Sequence, residues 1–226
     1  MASTTLRAKK GPPVPKPTAT RDRILDASRR SFNAEGLQAS AAYRVAADVG
    51  ISAGNLAYHF KTKAEIAGEL ARNFEMAFKQ VAATLAGPVE PLRFIHSMRE
   101  VLALMWRFRF LFTTPQYLAV VDPELGSHVI ALRLSVRDLI RQHTREMIMA
   151  KGIRPPRDQS SDILADNIVA IWMYWLQNQD LGADRAADEP SASALKDCLE
   201  HHFGLLEPYL GAKFATSFRR DLDITL

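Results

Sequence analysis

Residues suited to chemistry fall in two places along the chain. Cys198 and His202 stand four apart, with His201 beside them. On a helix that spacing puts a thiol and an imidazole on one face, as a metal site needs. Two ligands, with His201 pointing elsewhere, fall short of a tetrahedral set. His96, His128 and His143 are scattered without ligand spacing. No G-x-S-x-G, H-E-x-x-H or Walker pattern occurs. No catalytic residue, metal or cofactor is therefore expected, and the chain is expected not to be an enzyme. The second place is residues 43–60, YRVAADVGISAGNLAYHF, whose exposed residue types suit a polyanion.

There, two short helices are expected on either side of Gly50, Ile51 and Ser52. That is the layout of a helix-turn-helix, whose second helix enters the major groove. With Leu56 set as origin and about 100° per residue, Phe60 falls near ~40° and Ala53 near ~60°, an inward face. Lys61 at ~140°, Gly54 at ~160° and Tyr58 at ~200° look outward, with Asn55 and Ala57 flanking and His59 to one side. Gly54 removes a side chain where backbones must approach. Ser52 offers a hydroxyl and a helix N-terminus to phosphate. Asn55 suits a base edge, and Tyr58 suits phosphate or a thymine methyl. Lys63, opening the next helix, is expected to reach the DNA backbone from the edge.

The elements that position these residues read as helices throughout. No segment keeps the period-2 alternation of a half-buried strand. A first helix is expected over about 20–35, capped by Thr20, with Ile24, Leu25, Ser28 and Phe32 at helical spacing and Gly36 at its end. A second spans about 41–48, with Ser40 as a cap and Val45 and Val49 inward. Ser52 caps the third, and a long fourth runs from Thr62 to about Leu85. Further helices are expected over about 90–111, 116–121, Asp122 to Ala150, 159–180 and 191–210. Lys151 to Arg157 and Gly182 to Pro190 read as connectors.

Charge is uneven along the 226 residues. Residues 1–63 hold eleven basic and four acidic side chains, a net of +7; the remainder holds 18 basic and 21 acidic, a net of −3. A basic quarter on a mildly acidic body suits a polyanion-binding module joined to something else. Residues 1–19, rich in proline and basic, read as a flexible arm that either contacts DNA or is inert. Apolar residues make up 47% and charged residues 24%, which excludes a chain disordered throughout. No apolar run approaches the ~18 residues of a membrane span. The single Cys198 allows no intrachain disulfide, and the basic N-terminus lacks the apolar stretch of a secretory signal. The chain is expected in the cytoplasm, with no membrane partner.

From Thr20 to about Ile66 the sequence resembles the DNA-binding domain of the TetR family of bacterial regulators. The resemblance rests on TRDRILDASRRSFNAEG, on the step from Gly36 to Gly50, and on GISAGNLAYHFKTKAEI. Gly50-Ile51-Ser52, Gly54-Asn55-Leu56, Tyr58-His59-Phe60 and Lys63 stand in the family's register. Two departures matter. Ala57 stands where the family usually places a DNA-touching tyrosine, and Ala41-Ala42 where it usually has threonines. Ser40 is a candidate replacement cap. The resemblance implies contact roles for Arg44, Ser52, Gly54, Asn55, Tyr58, His59 and Lys63.

The resemblance also implies an all-α architecture. Residues 20–66 form the DNA-binding domain, and 67–226 a helical regulatory and dimerisation domain. It implies a homodimer built on the 159–180 and 191–210 helices. The first of these is apolar on more than one face through Trp172, Tyr174 and Trp175, and so needs partners on both. A small-molecule pocket is implied in the body, with Met105, Trp106, Arg109, Phe110, Phe112, Tyr117 and Trp172 as candidate lining. Arg109 needs a partner in its apolar stretch: Asp122, Glu124, an acidic effector or solvent. The expected function is sequence-specific binding of double-stranded DNA at an inverted repeat, as a repressor released by an effector. The alternative is a helical ligand- or protein-binding module that no longer reads DNA, favoured by Ala41, Ala42 and Ala57.

Overall fold

A computed structural model describes residues 19–85, 90–113, 115–154, 161–178 and 187–225. The basic arm lies, but for Ala19, outside the described residues. Helix α1, Thr20–Ala39, is followed by α2, Ala42–Val49, α3, Ala53–His59, and α4, Lys63–Thr84. The body continues with α5, Pro91–Arg107, α6, Phe110–Thr113, α7, Pro115–Val121, and α8, Pro123–Met149. It closes with α9, Ser161–Asn178, α10, Ala192–Leu206, a 3-10 turn at Glu207–Tyr209, and α11, Ala212–Thr225. The described residues are helical apart from connections and one bridge between Ile153 and Leu210.

The local signals explain most of these boundaries. Gly36, at φ 78°, breaks the α-helical backbone of α1 where the sequence places its end, and one further turn continues to Ala39. Gly50, at φ 71° and ψ 38°, is the left-handed residue that stops α2. The Ser52 hydroxyl accepts the Asn55 N–H and caps α3. Thr62 caps α4 by accepting from Glu65 N–H at 3.1 Å. Asp122 caps α8 ahead of Pro123.

Several expectations are corrected. Thr20 is the first helical residue rather than the cap, which is Ala19 without a side-chain bond. Ser40 does not cap α2; its buried hydroxyl pairs with Ser31 at 2.6 Å, and Ala41 takes the cap position. Ala53 is exposed, not inward: in this seven-residue helix Leu56 is the one buried side chain. The helix expected over 90–111 ends at Arg107, and α6 restarts at Phe110. Partners from α1 take the freed groups there: Arg107 carbonyl accepts from Asn33, and Phe110 N–H donates to it. The helix expected over 191–210 ends at Leu206, and α11 follows it unanticipated.

One continuous core joins the head, α1–α3, to the body. Ile24, Phe32, Val45, Val49, Leu56, Phe60 and Ile66 close the head. Phe74 of α4 meets Phe108 and Phe112 edge-on, at 5.8 and 5.1 Å between ring centres, and Phe32 of α1 meets Phe110 at 5.4 Å. No described helix is long and apolar enough to cross a membrane.

Candidate nucleic-acid interface

The α2–turn–α3 unit packs into the head through its apolar side, which leaves its other side open. Leu56 and Phe60 are buried as the helical angles require, whereas Ser52, Gly54, Asn55 and Ala57 are exposed. Tyr58 is 87% exposed, and its ring meets His59 edge-on at 5.5 Å. A Cβ at Gly54 would meet nothing nearer than the Ser52 hydroxyl at 3.9 Å. The surface at the start of α3 is therefore flat, a shape that admits close backbone approach. An exposed phenol has little folding value, so its placement is better explained by a partner. Tyr43, 70% exposed on the first turn of α2, shares this unit and was not among the residues singled out from sequence. Its only signal there was an aromatic at a position where the apolar period does not need one.

Two of the expected contact residues are engaged inside the head. Lys63 donates to the carbonyls of Leu37, Gln38 and Ser40, at 2.8, 3.0 and 2.8 Å. Its ammonium has three donors, and all three close the frayed end of α1. In the free chain the side chain positions α1 against α4, and a phosphate would compete with these carbonyls for it. Arg44 pairs with Glu35 at 3.0 Å and donates to the Ala39 carbonyl at 3.0 Å, while remaining exposed. A phosphate would compete with Glu35 for it.

Other arginines buttress the reading helix. Arg21 stacks on Phe60, 4.3 Å from the ring centre, donates to the His59 carbonyl at 3.2 Å and pairs with Glu69 of α4. It ties the C-terminal end of α3 to α1 and α4. Arg23 donates to the Val49 carbonyl and closes the end of α2. Arg29 is buried, yet hydrogen-bonds Asp26 at 2.7 Å, Asp188 at 2.8 Å and the Arg107 carbonyl at 3.2 Å. Burial pulls its guanidinium pKa down, but the bonds to Asp188 and Asp26 outweigh that and leave it raised. Sequence reading treated these arginines only as net charge, because their partners lie far along the chain.

Between head and body lies a polar crevice of about 380 Å³, lined by Arg21, His59, Glu69, Arg72, Asp122 and His128 among others. His128 of α8 reaches Glu75 of α4 at 3.1 Å below it. The head thus rests on α4, with room beside it.

The candidate effector residues of the body pack differently from expectation. Met105, Trp106, Arg109, Phe110, Phe112 and Trp172 are buried in the core, and Tyr117 is half-buried. The seven lie apart from the polar crevice and from the cleft beside Tyr174. Arg109, 1% exposed, stacks on Trp106 at 4.4 Å and donates to the Trp106 carbonyl at 3.1 Å, with the Ala187 carbonyl at 3.4 Å. Arg109 is therefore partnered within the protein rather than left to solvent. Among the described residues no three His, Cys, Asp or Glu gather as a metal site. Burial pushes the Cys198 thiol well above its ordinary range.

Comparison with known proteins bears on this arrangement. The family described as "Bacterial regulatory proteins, tetR family" matches residues 24–70. The family described as "Bacterial transcriptional repressor", TetR, matches residues 69–218. No curated protein matches the chain. A TetR-family transcriptional regulator from Marinobacter aquaeolei VT8 has the same fold, with a TM-score of 0.77 at 21% identity, over 92% of this chain and 98% of that one. A TetR-family regulator from Agrobacterium tumefaciens gives 0.67 at 15% identity, over 87% and 100%. The ketosteroid transcriptional regulator KstR2 of Mycobacterium tuberculosis gives 0.59 at 18%, over 87% and 97%.

Proposed function

The chain belongs to the TetR family of DNA-binding, non-enzymatic transcriptional regulators, and on that premise we propose that it is a homodimeric repressor released from an inverted-repeat operator by a small molecule. The observation that carries the reading is the outward side of α3, where Tyr58 stands exposed beside Asn55 and the flat surface at Gly54. Each subunit places α3 in one major groove, with Asn55 at base edges and Tyr58, His59 and the Ser52 end of α3 at phosphates. Arg44 joins them by exchanging Glu35 for a phosphate.

Dimerisation is proposed through α9 and α10. Ile163, Ala170, Ile171 and Tyr174 recur along one side of α9, with Ile163 and Tyr174 exposed. Beside them a cleft of about 450 Å³ is bordered by Tyr174, Trp175, Cys198 and His201. An apolar stripe next to an open cleft suits burial by a second copy of itself. The separation of the two α3 helices then sets the half-site spacing. Effector binding in the body tilts α4 and changes that spacing, with the polar crevice giving the head room to move. Such coupling is worth typically ~1–3 kcal/mol.

The test is selection of bound sequences from a random double-stranded DNA library at physiological salt. An enriched inverted repeat supports the proposal. Binding without an enriched motif, lost steeply with salt, would instead mean that only the basic surface acts. In that case the alanines at 41, 42 and 57 have removed sequence reading.

A further inference from the structure

Buried polar side chains collect at one point in the body. A cavity of about 10 Å³ lies where α5, α8, α9 and α10 meet, bordered by Phe94, Met98, His143, Met147 and His202 among others. His202 is 1% exposed, and neither ring nitrogen has a hydrogen-bond partner. The Nε2 of buried His143 is also without one, as is Nε1 of Trp172, whose ring meets His202 at 5.8 Å. Phe94 stacks on His143 at 5.0 Å and meets His202 edge-on at 5.5 Å. Buried polar groups are nearly always satisfied, so three such nitrogens on the two histidines that border one cavity require an explanation.

Resting on the regulator reading above, we propose that this cavity is the effector site, and that it takes a small, uncharged, planar ligand carrying both a hydrogen-bond donor and an acceptor. The donor-and-acceptor requirement follows from the walls. Nδ1 of His143 faces the Glu146 carboxylate at 3.5 Å, which directs a bare Nε2 toward the cavity. A neutral His202 brings one donor and one acceptor. Planarity follows from the ring of Phe94, which borders the cavity. The ligand is uncharged because the remaining lining is apolar but for Thr144, whose hydroxyl is given to the Ile140 carbonyl, so no side chain of the lining offers a counter-ion. Burial holds His202 neutral, pushing its pKa down to about 3. His143 and His202 belong to no group of three His, Cys, Asp or Glu that could hold a metal among the described residues.

At rest the cavity is about the size of one water. Opening it is made easier by its own composition. Met98 and Met147 are flexible, gap-filling side chains. The unpaired nitrogens make the closed packing less favourable than an apolar core. A ligand that enters satisfies them and must displace Phe94. Phe94 lies on α5, whose far end at Arg107 is bonded to Asn33 and Arg29 of α1. The same helix therefore joins the cavity to the head.

The test uses the full-length protein labelled with ¹⁵N-histidine, titrated with phenol, benzene and benzoate. Phenol is expected to shift the ring nitrogens of His143 and His202 saturably, with a Kd of roughly a millimolar, and to leave His59, His96, His128 and His201 in place. Benzoate is expected to bind at least about tenfold more weakly, and benzene to leave the ring-nitrogen hydrogen-bonding shifts absent. His202→Leu and, independently, the cavity-filling Met98→Trp are expected to abolish the phenol shifts with helical content retained. No shift at His143 and His202 in the wild type overturns the proposal. So does equal binding of benzoate, or phenol binding unchanged in a folded variant. The selected operator is assayed on the same samples. An enriched operator without ring shifts removes only this site, whereas ring shifts without an enriched operator remove only the regulator reading.

Discussion

Asn33 Nδ2 of α1 donates to the Arg107 carbonyl at 2.8 Å, and its Oδ1 accepts the Phe110 N–H at 3.2 Å. One buried amide from the DNA-reading head therefore supplies both partners at the break between α5 and α6. Asn33→Ala leaves the Phe110 N–H buried without that acceptor. The expected loss is roughly 1–3 kcal/mol of unfolding free energy, read from urea denaturation with an unchanged m-value. An unchanged midpoint would show that Arg29, which also donates to the Arg107 carbonyl, holds the junction alone.

Lys63 distinguishes positioning from DNA contact. Lys63→Met removes the donor shared by three carbonyls at the end of α1. We expect a loss of about 1–2 kcal/mol in stability, since water reaches part of this site. The slope of log binding constant against log salt is expected to stay the same. A slope flatter by about one unit would mean the ammonium leaves the carbonyls for a phosphate.

Tyr58→Ala is expected to weaken operator binding about tenfold or more, the scale of one hydrogen bond to a charged group. Its thermal unfolding should match wild type, because the ring is 87% exposed. Full operator affinity in this variant would mean that α3 does not face DNA as proposed.

What could be seen in the sequence was local. Gly50, Ser52 and Thr62 announced turns and caps because their action spans only a few residues. Leu56, Phe60, Val45 and Val49 follow from helical spacing and are buried. The break after Arg107 was not legible, because Asn33 supplies it from 74 residues away. The same distance hid the role of Lys63, whose carbonyl partners lie 23 to 26 residues upstream. Helix α11 did carry a signal, Phe214, Phe218 and Leu222 four residues apart. Its polar remainder weakened the contrast, and only packing of α11 on α5 makes that side useful. The effector pocket is hard to read from the sequence for a related reason. Aromatic residues at helical spacing mark core and cavity alike, and only the unpartnered nitrogens of His143 and His202 separate the two.

The same glycine-to-alanine change should have opposite signs at two positions. A Cβ at Gly126 of α8 would lie 2.4 Å from both Cα and Cβ of Ala119 in α7. Backbone must shift to admit it, so Gly126→Ala should cost roughly 1–3 kcal/mol despite the better helix propensity of alanine. At Gly68 of α4 the nearest atom is the tip of Arg72, 3.7 Å away. Gly68→Ala should stabilise by about 0.5–1 kcal/mol. Thermal denaturation of both variants checks this, and a stabilised Gly126→Ala would mean α7 and α8 do not cross so closely.

Stability should fall as pH drops below 6.5, because of His202 and His143. Burial lowers both pKa values, that of His202 to about 3 with the nearby His143 adding to it, while Glu146 opposes the shift at His143. Below pH 6.5 the unfolded chain binds protons that the folded chain refuses, so unfolding free energy rises with pH across this window. From pH 6.5 to 5, His202 alone should contribute a loss on the order of 1–2 kcal/mol. Asp26, whose ion pairs with Arg29 and Arg30 outweigh its burial and hold its pKa down, does not interfere. Its contribution is complete above the ordinary carboxylate range and is lost only as pH falls below about 4. Urea midpoints at pH 5 and 6.5 measure the effect. His202→Leu should flatten the difference, leaving the smaller part due to His143. An unaltered difference would place the titration on another group and take away the neutral His202 on which the proposed ligand chemistry rests.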